Sequence, residues 1–327
     1  MITFFQWTTE TSSSGEEKKS IITVKKELTK SKDEVVEEFQ ERMVKFRKHL
    51  FNIRWQYKAY RKLRESLQSH ECLIHVDFSE NYICKYANEV QSVHFGGSHQ
   101  QATLHTGVLY TAIQEAPLTF CSISPSRRHD PPAIWAHLDP VLDMIQDRFS
   151  IVSRLHFFSD GPATQYRQKG NFFLLSSEPL RRGFDVTWNF FEANHGKGAP
   201  DGVGGTLKRS ADRLVFIGED IPNAEMLFLK LKEQESVVEL FFVSEESVEA
   251  KVNEMLQVPP LNVVKGTMRI HQVISSCKGK IHYRDITCVC QREEGLINCP
   301  CFDVKEAILQ PDQETSHNGM AARSHHR

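Results

Sequence analysis

The 327-residue chain has no run of apolar residues near the ~20 that a membrane-crossing helix needs, so no membrane span is expected. It has little net charge, −2, so nothing draws the whole molecule toward nucleic acid, and any such attraction must be local. The opening MITFFQWTTE is too short and too polar for an export signal, and no basic stretch precedes it. The eight cysteines are therefore expected as reduced thiols in the nucleus or cytosol. GKGAP carries no Ser or Thr after its lysine, which excludes a Walker A loop. GKGAPD breaks G-x-G-x-x-G at its last position, and SDG is not a G-x-S-x-G nucleophile elbow. What remains has the composition of an ordinary globular protein, long enough for two domains of roughly 150 residues each.

The charges that are present are segregated. Residues 1–30 are rich in Ser, Thr, Lys and Glu and read as a flexible lead, and 307–327 read as a disordered tail. Between 31 and 70 lies a long amphipathic helix. Val36, Phe39, Met43, Phe46, Leu50, Ile53, Tyr57 and Tyr60 recur at alternating steps of three and four. Its first turns are acidic (Asp33, Glu34, Glu37, Glu38, Glu41), which suits the positive end of the helix dipole. From Arg42 to Arg64 every charged residue is basic. Three readings stay open for it: a solvated helix packed on the core, a basic face along DNA, or a coiled-coil homodimer.

After residue 70 the pattern turns to strands: CLIHVDF (72–78), SVHF (92–95), ATLHTGVLYTAI (102–113) and LTFCSIS (118–124), with Gly96-Gly97 as a turn. A helix from Pro131, kinked or restarted at Pro140, leads to a strand at 151–158 and a helical stretch at 163–180. A strand at 185–194 and a helix at 200–216 follow. This order predicts a mixed α/β domain over 71–216. Helices and strands over 217–306 read as a separate small α+β domain.

Three aspartates occupy unusual places. Asp77 in HVDFSENY and Asp160 in FFSDGPATQY each end an apolar strand, and Asp201 in NHGKGAPDGVGGTLKR follows a glycine-rich bend at a helix start. Strand ends are where a chain leaves the core at the rim of a crevice. Each has an ordinary reading too: Asp before Gly-Pro forms turns, and Asp201 suits a helix cap. Together they suggest Mg²⁺ or Mn²⁺, which take hard oxygen ligands and, in pairs about 3.5–4 Å apart, clamp both oxygens of a phosphoryl displacement.

An acid on the first strand, one after the fourth and one on a later helix resembles the RNase H-like core of DDE/D transposases and retroviral integrases. SDGPATQY is similar to the stretch around that superfamily's second acid. HVDFSENY, HGKGAPDGVGGTLKR and HLFNIRWQYKAYRKLRESL look like transposon-derived proteins, and the resemblance spans roughly residues 45–305. It implies an RNase H-like mixed sheet flanked by helices, a nuclear protein, and metal-dependent DNA cleavage and transfer at transposon ends. Asp77, Asp160 and Asp201 would be the metal ligands, with Glu192 on FFEAN the rival for the third place. Such transposases usually carry an N-terminal DNA-binding module. Residues 1–30 hold no Cys or His, so a missing segment or a partner is expected to supply it. Two other readings stay open: a catalytically inactive transposase-derived DNA-binding or structural protein, and an RNase H-like exonuclease. Glu80, three along from Asp77, points away from it on a strand, which counts against the exonuclease.

Lys197, Lys208, Arg209 and Arg213 near the third acid, and Arg167, Lys169, Arg181 and Arg182 after the second, are candidates to hold phosphates. His75, His94, His99, His105 and His195 read as structural, and Tyr166 as packing. Cys288-x-Cys290 and Cys299-x-Cys301 place thiols at i and i+2, on one face of a strand. If REEGLIN turns between them, the four could meet as a structural Zn²⁺ site, the other reading being a reduced cluster.

Overall fold

Strands with apolar residues on both faces need cover on both faces, and CLIHV, RLHFF and VTWNFF are of that kind. The computed structural model of the protein describes residues 1–13, 19–88, 99–234, 236–290, 297 and 299–310. Its chain divides into two compact units, 1–52 and 53–327.

The first unit holds an antiparallel hairpin, β1 (Ile2–Ser13) and β2 (Lys19–Lys30), and the opening turns of α1 (Lys32–Glu65). Ser31 and Glu34 start that helix reciprocally: the Glu34 N–H donates to Ser31 Oγ, and the Ser31 N–H donates to Glu34 Oε2. The hairpin corrects the expectation of a flexible lead over 1–30. Ile21, Ile22 and Val24 facing Thr11, Glu10 and Thr8 supply enough β-formers to pair.

The second unit is built on nine strands in the order β11-β10-β9-β7-β6-β3-β4-β5-β8. The first three in sequence, β3 (Glu71–Ile83), β4 (Gln101–Thr111) and β5 (Leu118–Ser124), form an antiparallel meander. The next two, β6 (Arg154–Ser159) and β7 (Asp185–Phe190), add in parallel beside β3. One face packs on α2 (Pro131–Arg148) and the short helix α3 (Lys169–Leu175), where Ile74, Val76, Phe157 and Trp188 meet Trp135 and Leu138. Phe157 stacks on Trp188 with centroids 4.7 Å apart. On the other face Tyr60 and Leu63 of α1 cover Leu73 and Phe158. Helices α5 (Ala199–Phe216) and α6 (Ala224–Lys232) cover Leu104 and Val108 there. Each such side chain contributes ~1.5–3 kcal/mol on burial, so the strands at the middle of the sheet are the best anchored.

The expected small C-terminal domain is not separate. β8 (Val238–Phe242) joins β5 in parallel at one edge, and β9 (Gln272–Cys277), β10 (Lys280–Arg284) and β11 (Lys305–Ile308) extend the other edge beyond β7. α7 (Glu245–Leu256) is tied to α4 (Glu178–Arg181) by the buried Lys251–Glu178 ion pair, 2.9 Å. Sequence adjacency suggested a second core, whereas open sheet edges drew these strands into the first. Three smaller expectations also change. The helical stretch at 163–180 is a turn followed by α3 and α4, Pro140 lies inside an uninterrupted α2, and β11 reaches into the expected tail. The strand expected at 92–95, Gly96-Gly97, His94, most of REEGLIN and 311–327 lie outside the described residues.

Gly107 on β4 shows how tightly the meander is packed: a Cβ there would sit 2.2 Å from the Phe120 ring. Gly107→Ala is expected to lower the unfolding free energy by about 1–3 kcal/mol, read as a lower urea midpoint. An unchanged midpoint would mean that the ring has room to yield.

Candidate active site

Side chains alternate along a strand, so Leu73, His75 and Asp77 share one face of β3. Asp160 directly follows β6, the parallel neighbour of β3, and lies two residues beyond Phe158, which packs with Leu73. Asp201 stands in the first turn of α5, the helix laid over β3 and β4 on that same face. The fold thus brings all three predicted acids to one rim, where the charges of Asp160 and Asp201 act on Asp77 and that of Asp201 acts on Asp160.

Their electrostatics are unbalanced. Burial, then the charges of Asp160 and Asp201, push Asp77 up to about 7. Burial raises Asp160 too. The Arg167 guanidinium opposes that rise, Asp201 adds to it, and the carboxyl settles at about 6. Asp160 Oδ1 is buried without a hydrogen-bond partner. Asp201 is more exposed, and its Oδ2 accepts from the Gly198 N–H at 2.7 Å, capping the start of α5. The cap foreseen in the sequence is therefore present, and it leaves Asp201 Oδ1 over.

Glu192, the rival third acid, is turned elsewhere. Its Oε2 lies 2.7 Å from His271 Nε2, and its charge faces Arg167. Arg167 is no phosphate clamp either: it is 1% exposed, donates to Phe191 O and Met268 O at 2.8 Å each, and lies over the Phe190 ring. Arg181 pairs with Glu178, Arg182 with Asp143, and Lys169 donates to Leu261 O. These four side chains therefore hold the scaffold. Lys197, Arg209 and Arg213 remain exposed, and Lys208 donates to Glu80 O.

The loop before α5 reaches the acids because it lacks side chains. A Cβ on Gly196 would lie 2.3 Å from Asp160 Cβ, and one on Gly198 2.7 Å from His75 Cε1. Asn194 turns the loop with φ 64°, a left-handed conformation asparagine tolerates. Tyr57 anchors it from α1 by donating to His195 O at 2.8 Å. His75 is packed against Tyr60 and Phe191, and burial brings its pKa down to about 4, so it stays neutral. His105 is fully buried with its Nε2 3.0 Å from Tyr166 Oη, and Tyr166 is itself fully buried between Phe78 and Trp188. Tyr166 and His105 are thus packed into the core and hydrogen-bonded to each other, while both ring nitrogens of His75 are buried without a hydrogen-bond partner.

At the far edge of the sheet the four cysteines of the C-x-C pairs converge. Cys288 and Cys299 sulfurs are 3.4 Å apart, as are those of Cys290 and Cys301, and all four lie within 4.8 Å of one another. Among the described residues this is the one set of metal-ligating atoms gathered so closely, and it could hold a metal ion. The carboxylates are spread more widely. Burial pushes the Cys299 thiol up, but hydrogen bonds from Cys301 and the other thiols outweigh it and bring Cys299 down to about 7. Gln56 of α1 fastens this edge, donating to Thr287 Oγ1 and Phe190 O at 2.7 Å and accepting from the Thr287 N–H.

Tyr57, Gln56 and the His271–Glu192 pair escaped the sequence reading. Tyr57 showed only as one more apolar position of the helix stripe, and no local pattern links residues so far apart in sequence.

The raised acids make stability depend on pH. The folded state holds protons on Asp77 and Asp160 that the unfolded chain releases near its ordinary 3.8, so stability is full below about pH 4 and falls as pH rises toward 6 and 7. Asp77→Asn is expected to raise metal-free stability at pH 8 by about 1–3 kcal/mol and to flatten the profile. Denaturant melts from pH 5 to 8 measure this, and parallel profiles for both proteins would refute it.

No curated protein and no solved structure matches the chain. Residues 56–287 match the family described as a domain of unknown function, DUF8701. That match takes in all three acids and well over half of the chain, which therefore belongs to the DUF8701 family.

Proposed function

We propose that the 53–310 unit is an RNase H-like core of the DDE/D transposase type. It uses Asp77, Asp160 and Asp201 to hold Mg²⁺ or Mn²⁺ for cleavage and transfer of DNA strands. One observation carries the reading: two half-buried carboxyls, raised to about 7 and about 6, lie just past the paired stretch of the parallel neighbours β3 and β6 and beside a third acid. Asp160 comes directly after β6, and Asp77 lies within β3, which runs on past its expected end to Ile83. Their order supports it too, with the first acid on the first strand of the sheet, the second after the fourth and the third on a later helix.

The residues fit a hard divalent cation. The unpartnered Oδ1 of Asp160 and the two carboxyls raised by burial and by neighbouring acids, with Arg167 only partly offsetting the rise at Asp160, suit a cation. Bound ions would supply Lewis-acid polarisation of a phosphate and activation of the attacking hydroxyl. Asp77 and Asp160 would have to give up protons to hold the ions, so uptake would weaken as pH falls through about 7 and further through about 6. Gly196 and Gly198 let their loop close against Asp160 and His75, and the exposed Lys197 and Arg209 beside it would face a strand's phosphates. A nuclear location and a partner supplying further DNA contacts follow from this reading.

The test is calorimetric titration of Mn²⁺ into the protein, wild type against Asp160→Asn, followed by nicking of duplex DNA. Expected are binding weakened at least tenfold and nicking abolished in the variant. Equal binding by both would remove the catalytic reading and leave an inactive transposase-derived protein that meets DNA through the basic 42–64 face.

For the four thiols we propose structural Zn²⁺. A tetrahedral site with Zn–S near 2.3 Å sets sulfurs about 3.8 Å apart, close to the spacing of these four. One zinc per chain by elemental analysis, lost in Cys299→Ser together with several degrees of melting temperature, is expected. Metal-free protein two or four hydrogens lighter, from oxidised thiol pairs, would refute it.

A further inference from the structure

The first unit carries a surface that its own chain does not cover. On the opening turns of α1, Val36, Phe39 and Phe46 are 54%, 62% and 53% exposed, with Met43 and Leu50 beside them half-buried. Their steps of three, four, three and four form an uninterrupted coiled-coil seam. The preceding hairpin does not relieve the exposure. It shows Phe5, Trp7 and Ile21 on one of its own faces, and a lone two-stranded hairpin is marginal in water.

Charge says what covers the seam. Asp33, Glu34, Glu37, Glu38 and Glu41 fill the first turns, and Arg42, Lys45, Arg47 and Lys48 the next. Glu38 is held by Lys30 and Arg42. Among the described residues Glu37, Glu41, Lys45, Arg47 and Lys48 form no ion pair. A parallel partner would set acid on acid and base on base. An antiparallel copy sets the acidic turns of each helix against the basic turns of the other and joins the two seams about a two-fold axis.

We propose that this chain forms a homodimer through antiparallel pairing of α1 over residues 33–52. The inference rests on the helix alone and does not depend on the metal-site reading.

Light scattering on the full-length protein is expected to give twice the monomer mass at micromolar concentration. Phe39→Asp combined with Phe46→Asp, with helicity checked by circular dichroism, is expected to give the monomer mass. Orientation is read on the unsubstituted protein. Equal amounts of ¹⁴N- and ¹⁵N-labelled chains are mixed and treated with a zero-length carboxyl-to-amine cross-linker. Mixed-isotope links from Glu34 or Glu37 to Lys45 or Lys48 are expected. A monomer at every concentration, a dimer unaffected by the double substitution, or a dimer without those mixed links would each overturn the proposal.

Discussion

Two carboxyl groups withdrawn from water side by side set the terms for the rest of the structure. Ionising both in a partly buried rim is unfavourable, which is why Asp77 and Asp160 are raised to about 7 and about 6. Arg167 is the one cation acting on Asp160, and it is itself held by Phe191 O and Met268 O and shared with Glu192. The site therefore keeps an uncompensated demand for positive charge at neutral pH. Because α5 and its glycine loop close directly over the acids, small displacements there would alter the balance.

The sheet makes such a rim affordable by placing it on the best-anchored strands. β3 and β6 lie in the middle of nine, covered on both faces, with Phe157, Phe158, Leu73 and Ile74 fully buried. The later strands add to the edges instead of forming a second core. β9 lies against β7, and its Gln272 donates to Cys288 O at 2.8 Å, which ties the thiol cluster to the central sheet. Gln56 and Tyr57, adjacent on one helix, link that cluster's edge and the glycine loop to a single rigid element.

The sequence made the local elements and the three acids legible because each carries a short-range signal. Apolar strands announce β3 and β6, Gly-Pro marks the exit after Asp160, and the glycines before Asp201 mark a close approach. Where signals conflicted, geometry decided. Glu192 had the right residue type, but its neighbour across β9 is His271, a pairing fixed by strand order and not by spacing. Arg167 looked like a surface cation because a sequence cannot show that Gly161 lets its guanidinium fold inward: a Cβ there would lie 2.3 Å from Arg167 Nε. The merging of 217–306 into the main sheet was hidden for the same reason, since edge pairing joins residues far apart in sequence, as Thr119 with Val238 and Asn189 with Gln272.

Whether the acids are structural turns on what a structural residue would have to be. A turn before Gly-Pro is formed as well by asparagine as by aspartate, and asparagine carries no charge to desolvate. At Asp160 the carboxylate adds nothing to the turn, at Asp77 it adds nothing to the strand, and at both it makes the ionised fold less stable. Asp201 differs, because its Oδ2 closes the cap with the Gly198 N–H and would do so in a purely structural protein. Asp77 and Asp160 have no such structural task. They hold charge where folding alone favours none, and perturbed groups of this kind cluster at functional sites, which is what supports the proposed metal-binding role. Asp201 completes the arrangement by geometry, with its free Oδ1 on the helix end where a phosphate's negative charge is also best received.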